Sequence, residues 1–291
     1  MQYAKKRGNF FIFFWYISAS YSRSAANGYT SANSIPSTML RCIVYSILLF
    51  LPCLLLAQGS AGSVASIETR SIVDMPTAGV LAKGDYAVNV YAFTENSVMV
   101  EWSAGILTNL NAGISFGGAN ITGTGEPVWQ DLPGFHVRFR LIDESLRFPA
   151  ITLGASTQGR GVYFSGSKEF QVQSPGVFAA VSKSFRWLGT MALHGGVHYS
   201  FEPAPENRGI NAYVGIEKSI GGPCSLHLEY NAGLSGEKTS TLTEAGLLNA
   251  ALRCSLGRGF TIEVQAQDLL LHYRGADRIT RTLAIEYIGR F

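Results

Sequence analysis

The densest run of chemically capable side chains is His136, Arg138 and Arg140, which alternates with Phe135, Val137, Phe139 and Leu141. Three polar groups at every second position of a strand share one face, and the buried core of a soluble protein does not readily accept such a row. Guanidinium forks bind carboxylates and phosphates with two parallel hydrogen bonds, so this row suits anionic sugars or phosphates if it borders water. Other rows put Glu101, His198, Glu217, Glu229, Arg253 and Glu263 on the equivalent faces of their own segments, with His227, Glu286 and Arg290 beside them. Two chemistries are open to this set. Opposite charges can pair with each other and rigidify an enclosed space, or they can line a path for a ligand.

Catalytic and metal chemistry find less to work with. Ser200 stands two residues from His198 on one face, but no His/Ser/Asn cluster of phospholipase type accompanies it, so the chain is not read as an enzyme. Gly117-Gly118 and Gly159-Arg160-Gly161 resemble phosphate loops only loosely, since neither joins a strand to a helix. Cys42, Cys53, Cys224 and Cys254 form no CxxC pair or Cys/His ligand spacing, so no metal and no cofactor is expected. A Cys224–Cys254 disulfide fits an oxidising compartment, although spacing alone does not establish it.

The elements that carry these rows are strands. From Asp85 to the end, period-2 alternation recurs almost without interruption, in about twelve segments of roughly nine to twelve residues, the length of a tilted membrane strand. Helical periodicity appears only in a short stretch around Asp268–Leu271. After the first turn at Glu95-Asn96, the connections alternate short and long. Tight turns near Thr108, Trp187, Gly222 and Arg258, and a slightly longer one from Asp143 to Phe148, interleave with loops at Ala119–Pro133, Gln158–Ser174, Glu202–Gly209, Leu234–Gly246 and Leu269–Ile279. Outer-membrane barrels sort their loops this way, with short periplasmic turns and longer external loops. The fold expected is therefore all-β, a single antiparallel transmembrane β-barrel of about 12 strands spanning residues 85–291. The rows named above would then line its lumen. Trp102, Trp129, Trp187, Tyr199, Tyr230 and Tyr287 are expected in aromatic girdles.

The N-terminal part reads differently. Ile43 to Ala57 is an apolar run behind Arg41 and is followed by small residues, which is the pattern of a signal peptide at 39–59 cleaved near Gly59 or Ala61. Met39 then serves as a natural start and residues 1–38 as an upstream extension, with a genuine N-terminal tail as the alternative. Phe50-Leu51-Pro52 before Cys53 lacks the small residues of a lipidation site. Residues 60–84 read as a short periplasmic lead-in. All five basic residues of the first 59 precede every acidic residue. Without that stretch 18 basic and 20 acidic residues remain, and no basic surface is left for nucleic acid.

The last strand, Leu283-Ala-Ile-Glu-Tyr-Ile-Gly-Arg-Phe291, resembles the closing strand of outer-membrane barrels, which commonly end in Phe. That resemblance implies that Phe291 is an assembly signal read by the barrel-insertion machinery, and that β-strand pairing with the segment near Tyr86–Thr94 closes the barrel. Asp74-Met-Pro-Thr-Ala-Gly-Val-Leu-Ala-Lys-Gly84 resembles the lead-in of YjbH-like outer-membrane proteins. Phe178–Lys183, Leu247–Arg253 and Gln267–Leu270 resemble that family's strand patterns, so the likeness spans roughly Ile72 to Phe291. It implies a bacterial outer-membrane location, lipid and insertion machinery as partners, and a role in exopolysaccharide export or envelope structure. The chain is shorter than the better-known members and lacks their lipoprotein signal. The alternatives are a small passive channel for anionic or sugar-like solutes and a soluble periplasmic β-barrel that binds a ligand.

Overall fold

Alternating side chains become strands throughout the C-terminal part of the chain. The computed structural model describes residues 60–63, 65–94, 96–202, 209–233, 246–272 and 279–291. The signal peptide at 39–59, the extension 1–38 and both Cys42 and Cys53 lie outside the described residues. The strands are β1 (Asp85–Ala92), β2 (Val98–Leu107), β3 (Leu110–Ala119), β4 (Val128–Trp129), β5 (Gly134–Ile142), β6 (Ala150–Ser156), β7 (Arg160–Phe164), β8 (Glu169–Val172), β9 (Gly176–Arg186), β10 (Thr190–Tyr199), β11 (Ile210–Gly221), β12 (Cys224–Asn231), β13 (Leu247–Gly257), β14 (Phe260–Gln267) and β15 (Thr280–Arg290).

Twelve of these close into an antiparallel ring. Its order is β1-β2-β3-β5-β6-β9-β10-β11-β12-β13-β14-β15, with β15 returning to β1 and the short β4 extending β3 outside the ring. The seam pairs Asp85 with Arg290 and runs through Ala92 opposite Leu283, joining first and last strands as their sequences lead one to expect. A closed ring leaves no unpaired strand edge, which is what a sheet needs where lipid offers no hydrogen bonds.

The outward row is apolar on every side. Val100, Ile114, Phe116, Phe135, Val137, Phe139, Leu153, Val181, Leu193, Val214, Leu228, Leu252, Val264 and Ile285 are all exposed on the surface of the barrel. So continuous an apolar belt excludes the soluble periplasmic barrel and places the protein in the outer membrane. Tyr86, Phe260, Tyr287 and Phe291 gather at the seam's periplasmic end, with ring centroids 4.7–6.1 Å apart along the chain of contacts. Trp102 departs from the girdle expectation. It lies mid-strand, opposite Val88 and Ile114, in the lipid-facing row.

The loops sort as expected. Residues 108–109, 143–149, 187–189, 222–223 and 258–259 form the short connections at one end, and the longer ones lie at the other. At 257–259 the turn needs three consecutive left-handed residues, supplied by Gly257, Arg258 and Gly259. The loop after β6 contains a hairpin of its own, β7 paired with β8. The helical pattern at Asp268–Leu271 resolves into a single turn closed by a bond from Leu271 N–H to the Asp268 carbonyl. Cys224 and Cys254 are directly opposed on β12 and β13 and form a disulfide, with Cα atoms 4.2 Å apart.

Residues 60–84 correct the sequence reading. Expected as a periplasmic lead-in, the part at 69–81 instead folds into the lumen as a hairpin-like insert in which Ile72, Val73, Met75, Ala78 and Leu81 are buried, and Ala61 is buried as well. Ser71 bridges Pro76, and Ile72 N–H bonds to the Met75 carbonyl, so the chain reverses at 73–74. The polar inward rows have a physical partner in this segment. Its backbone takes the hydrogen bonds that water would otherwise supply.

Candidate functional site

The inserted segment is held by wall side chains that address its backbone. Glu229, 1% exposed on β12, accepts three N–H bonds at the reversal, from Val73 (2.9 Å), Asp74 (3.0 Å) and Met75 (2.8 Å). Successive N–H groups converging on one carboxylate make an anion nest, and here the anion belongs to the wall. Asn249 donates to both Glu229 and Asp74, and Gln267 donates to Asp74 (2.7 Å). Burial, and Glu229 next to it, push the Asp74 carboxyl up to about 7. Lower in the lumen, Asn111 accepts from Leu81 N–H and donates to its carbonyl, while Arg140 and Thr152 both donate to the Ala78 carbonyl. Gly215 on β11 lets the insert approach closely, because a Cβ there would come 2.7 Å from the Ile72 side chain.

The sequence-derived candidates separate into two groups. Arg140 (bonded to the insert, with Glu68 as ion-pair partner), Glu229, Glu217 and His198 stand where the insert or the external hairpin fills the lumen. Ser182 Oγ bonds His194 Nδ1 (2.8 Å), and His194 Nε2 lies 3.8 Å from Glu217. That sequence of groups has the order of a nucleophile, base and acid relay. However, Ser182 Oγ also accepts the Ala78 N–H (3.0 Å), so it anchors the insert. Ser225 similarly bonds His227, which faces Glu217 at 4.0 Å.

Glu101, Arg138, Arg253 and Glu263 form the second group, on the arc of wall facing Arg70 and Ser71, where a space remains beside the insert. They border a cavity of about 30 Å³ together with Arg70 of the insert, Arg160 of β7 and Glu286 of β15. His136 adjoins it, bonded to Ser103 (3.0 Å) next to Glu101. Arg253 pairs with Glu263 (2.5 Å) and Arg70 with Glu286, while Arg138 donates to the Arg70 carbonyl (2.5 Å). Sequence reasoning missed Arg70 and Arg160, because neither belongs to an alternating barrel strand.

The external hairpin closes the lumen from the other side. Val172 on β8 packs with Ile72, Val73, Met75 and Tyr213, so cap and insert share one apolar cluster. Arg160 lies 4.1 Å above the Tyr91 ring, a cation–π contact with the β1 wall. Glu202, after β10, accepts the N–H groups of Phe170 (3.2 Å) and Ser174 (2.5 Å).

No family model matches the chain, and no curated protein matches it. Solved structures similar to it include small porins. One is the KdgM porin in complex with disordered oligogalacturonate, at 9% identity and a TM-score of 0.42, with 70% of this chain and 98% of that one covered. Another is the NanC porin, at 9% identity and a TM-score of 0.41, with 71% and 99% covered. The outer membrane protein Omp33 of Acinetobacter baumannii gives 9% identity and a TM-score of 0.38, with 71% and 97% covered. Likenesses this distant carry no argument about what this barrel binds or passes, and its function is argued from its own residues.

Proposed function

We propose that this protein is a small outer-membrane channel for anionic or sugar-like solutes, held shut at rest by the inserted segment 60–84. The observation that carries this reading is the space left beside the insert, where Arg70, Arg138, Arg160 and Arg253 face Glu101, Glu263 and Glu286. A path lined by guanidinium groups attracts anions and offers sugar hydroxyls a dense set of donors and acceptors. Displacing the insert would join that space to both mouths of the barrel.

Bilayer conductance tests it. The wild-type protein should conduct weakly or in bursts, and Glu229→Gln, which loosens the insert, should raise the open fraction at least several-fold. Arg138→Gln added to that variant should lower the anion-over-cation preference. Silence of both wild type and Glu229→Gln across salts and voltages would sink the channel reading. The filled lumen favours, as a second reading, a closed envelope protein of YjbH-like type that supports polysaccharide export. There the bilayer stays silent and deletion of the protein reduces surface polysaccharide. In either case Phe291, 79% exposed and 4.9 Å from the Tyr86 ring, is free to serve as the handle for barrel insertion. Deleting Phe291 should lower the amount of folded protein in the membrane, measured by heat-modifiable mobility.

A further inference from the structure

We propose that the closed barrel holds one small inorganic anion of halide size, in the cavity where the insert, the wall and the external hairpin each contribute an arginine. The three are Arg70, Arg138 and Arg160, and they meet around a space of about 30 Å³. That volume is about twice the least a water molecule needs, enough for a monoatomic anion and too small for a sugar.

Charge accounting points to an anion. Glu263 matches Arg253 and Glu286 matches Arg70, whose side chain is 10% exposed. Arg138 and Arg160 share Glu101, and Asp74 of the insert acts on Arg160 from beyond ion-pair distance; among the described residues neither arginine has a carboxylate within that distance. While Asp74 carries its proton, one positive charge is therefore left over inside the barrel wall, where the surroundings screen it poorly. Hydrogen bonding gives a second, independent sign. Arg70 Nη1 and Arg160 Nη1 are buried with no acceptor, while the Arg138 Nη1 donor is used by the Arg70 carbonyl. Water could accept from the two idle N–H groups but would leave the charge standing. A halide meets both demands, since charge-assisted bonds to guanidinium N–H are the strong kind.

Because the arginines come from three separate parts of the chain, the ion ties the insert and the cap to the same stretch of wall. The site rests on the channel reading in one respect, that an anion moving through the lumen would reach it; its occupancy is measured without transport.

The test uses the full chain purified in detergent. Replacing sodium gluconate with sodium bromide at constant ionic strength should raise the unfolding temperature in a saturable way. Crystals grown in bromide should show one anomalous peak among Arg70, Arg138 and Arg160. Arg160→Gln should abolish the peak and weaken half-saturation at least tenfold, and Arg160→Lys, which keeps the charge without the planar fork, should fall between. If Arg160→Gln fails to fold, Arg138→Gln takes its place with the same expected loss. Absence of bromide from the wild-type cavity, or an unchanged bromide response in the Gln variant, overturns the proposal. A bromide site in a barrel that conducts nothing would leave the ion in place and remove only the channel.

Discussion

Two pieces of chain close the lumen, and they are fastened in different ways. The insert at 60–84 is held by buried wall side chains that bond to its backbone, among them Glu229, Asn111, Arg140, Thr152 and Ser182. The β7–β8 hairpin is held by fewer contacts: Val172 in the apolar cluster, Arg160 over Tyr91, Lys168 paired with Asp131, and Glu202 bonded to Phe170 N–H. The insert adds to these backbone bonds the side chains of Glu68, Arg70 and Asp74, so the loss of any one of its own groups leaves most of its fastenings in place. A closure tied through a few side chains opens when one of them is lost. The comparison teaches that the external cap is the easier of the two to open, and that the insert sets how far the lumen stays shut.

The largest expected effect falls on the insert. Glu229→Ala removes one acceptor from three buried N–H groups, each costing roughly 1–3 kcal/mol when left unpaired, so a loss of about 3 kcal/mol or more is expected in denaturant unfolding. A loss below about 1 kcal/mol would mean that the insert is not fastened there, and the contrast with the cap would fail. Breaking the disulfide with Cys224→Ser and Cys254→Ser serves as the control. It releases a cross-link over a separation of 30 residues, worth roughly 3.6 kcal/mol at most by loop entropy, and should lower barrel stability without changing the conductance of either closure.

Acidity should act on the insert next. Asp74 titrates near 3.8 in the unfolded chain and near 7 in the lumen, where Glu229, Glu263 and Arg160 also act on it. The folded insert thus takes up a proton between those values. The stability this adds is complete below about pH 4 and is lost as pH rises through about 7. Amide exchange at 72–76 should therefore be faster at pH 8 than at pH 5, and Asp74→Asn should flatten that difference. The smallest effect belongs to the cap. Glu202→Ala leaves the buried Ser174 N–H and the part-buried Phe170 N–H without their acceptor, so it should cost roughly 1–3 kcal/mol and speed proteolytic nicking of 160–172 several-fold. Equal nicking of mutant and wild type would argue that Glu202 does not hold the hairpin.

The barrel could be read in the sequence because each of its strands repeats the same two-residue decision. Phe135 through Leu141 declares its outward row without reference to anything distant, and the turn at Gly257-Arg258-Gly259 is equally local. The seam was legible too, since Leu283–Phe291 and Tyr86–Ala92 both alternate and only one position remained for each. The insert was not legible. Asp74, Met75 and Pro76 carry no period, and the partner that binds this turn, Glu229, lies about 155 residues away. It read as a periplasmic lead-in because bonds to a backbone leave no period in the sequence. For the same reason Arg140, Glu229 and Arg138 looked alike as inward residues. Only the position of the insert shows that all three bond its backbone, and that Arg138 alone of them also borders the remaining cavity.

The order of the chain around the seam bears on how this protein reaches its folded state. Residues 60–84 precede β1, and β1 meets its last neighbour only when β15 arrives. During biogenesis the chain therefore delivers its own filling ahead of the wall that will surround it. Glu229, Asn249 and Arg253 come later and find their partner already attached to the first strand. The filling is thus tethered to the first strand of the ring that closes around it.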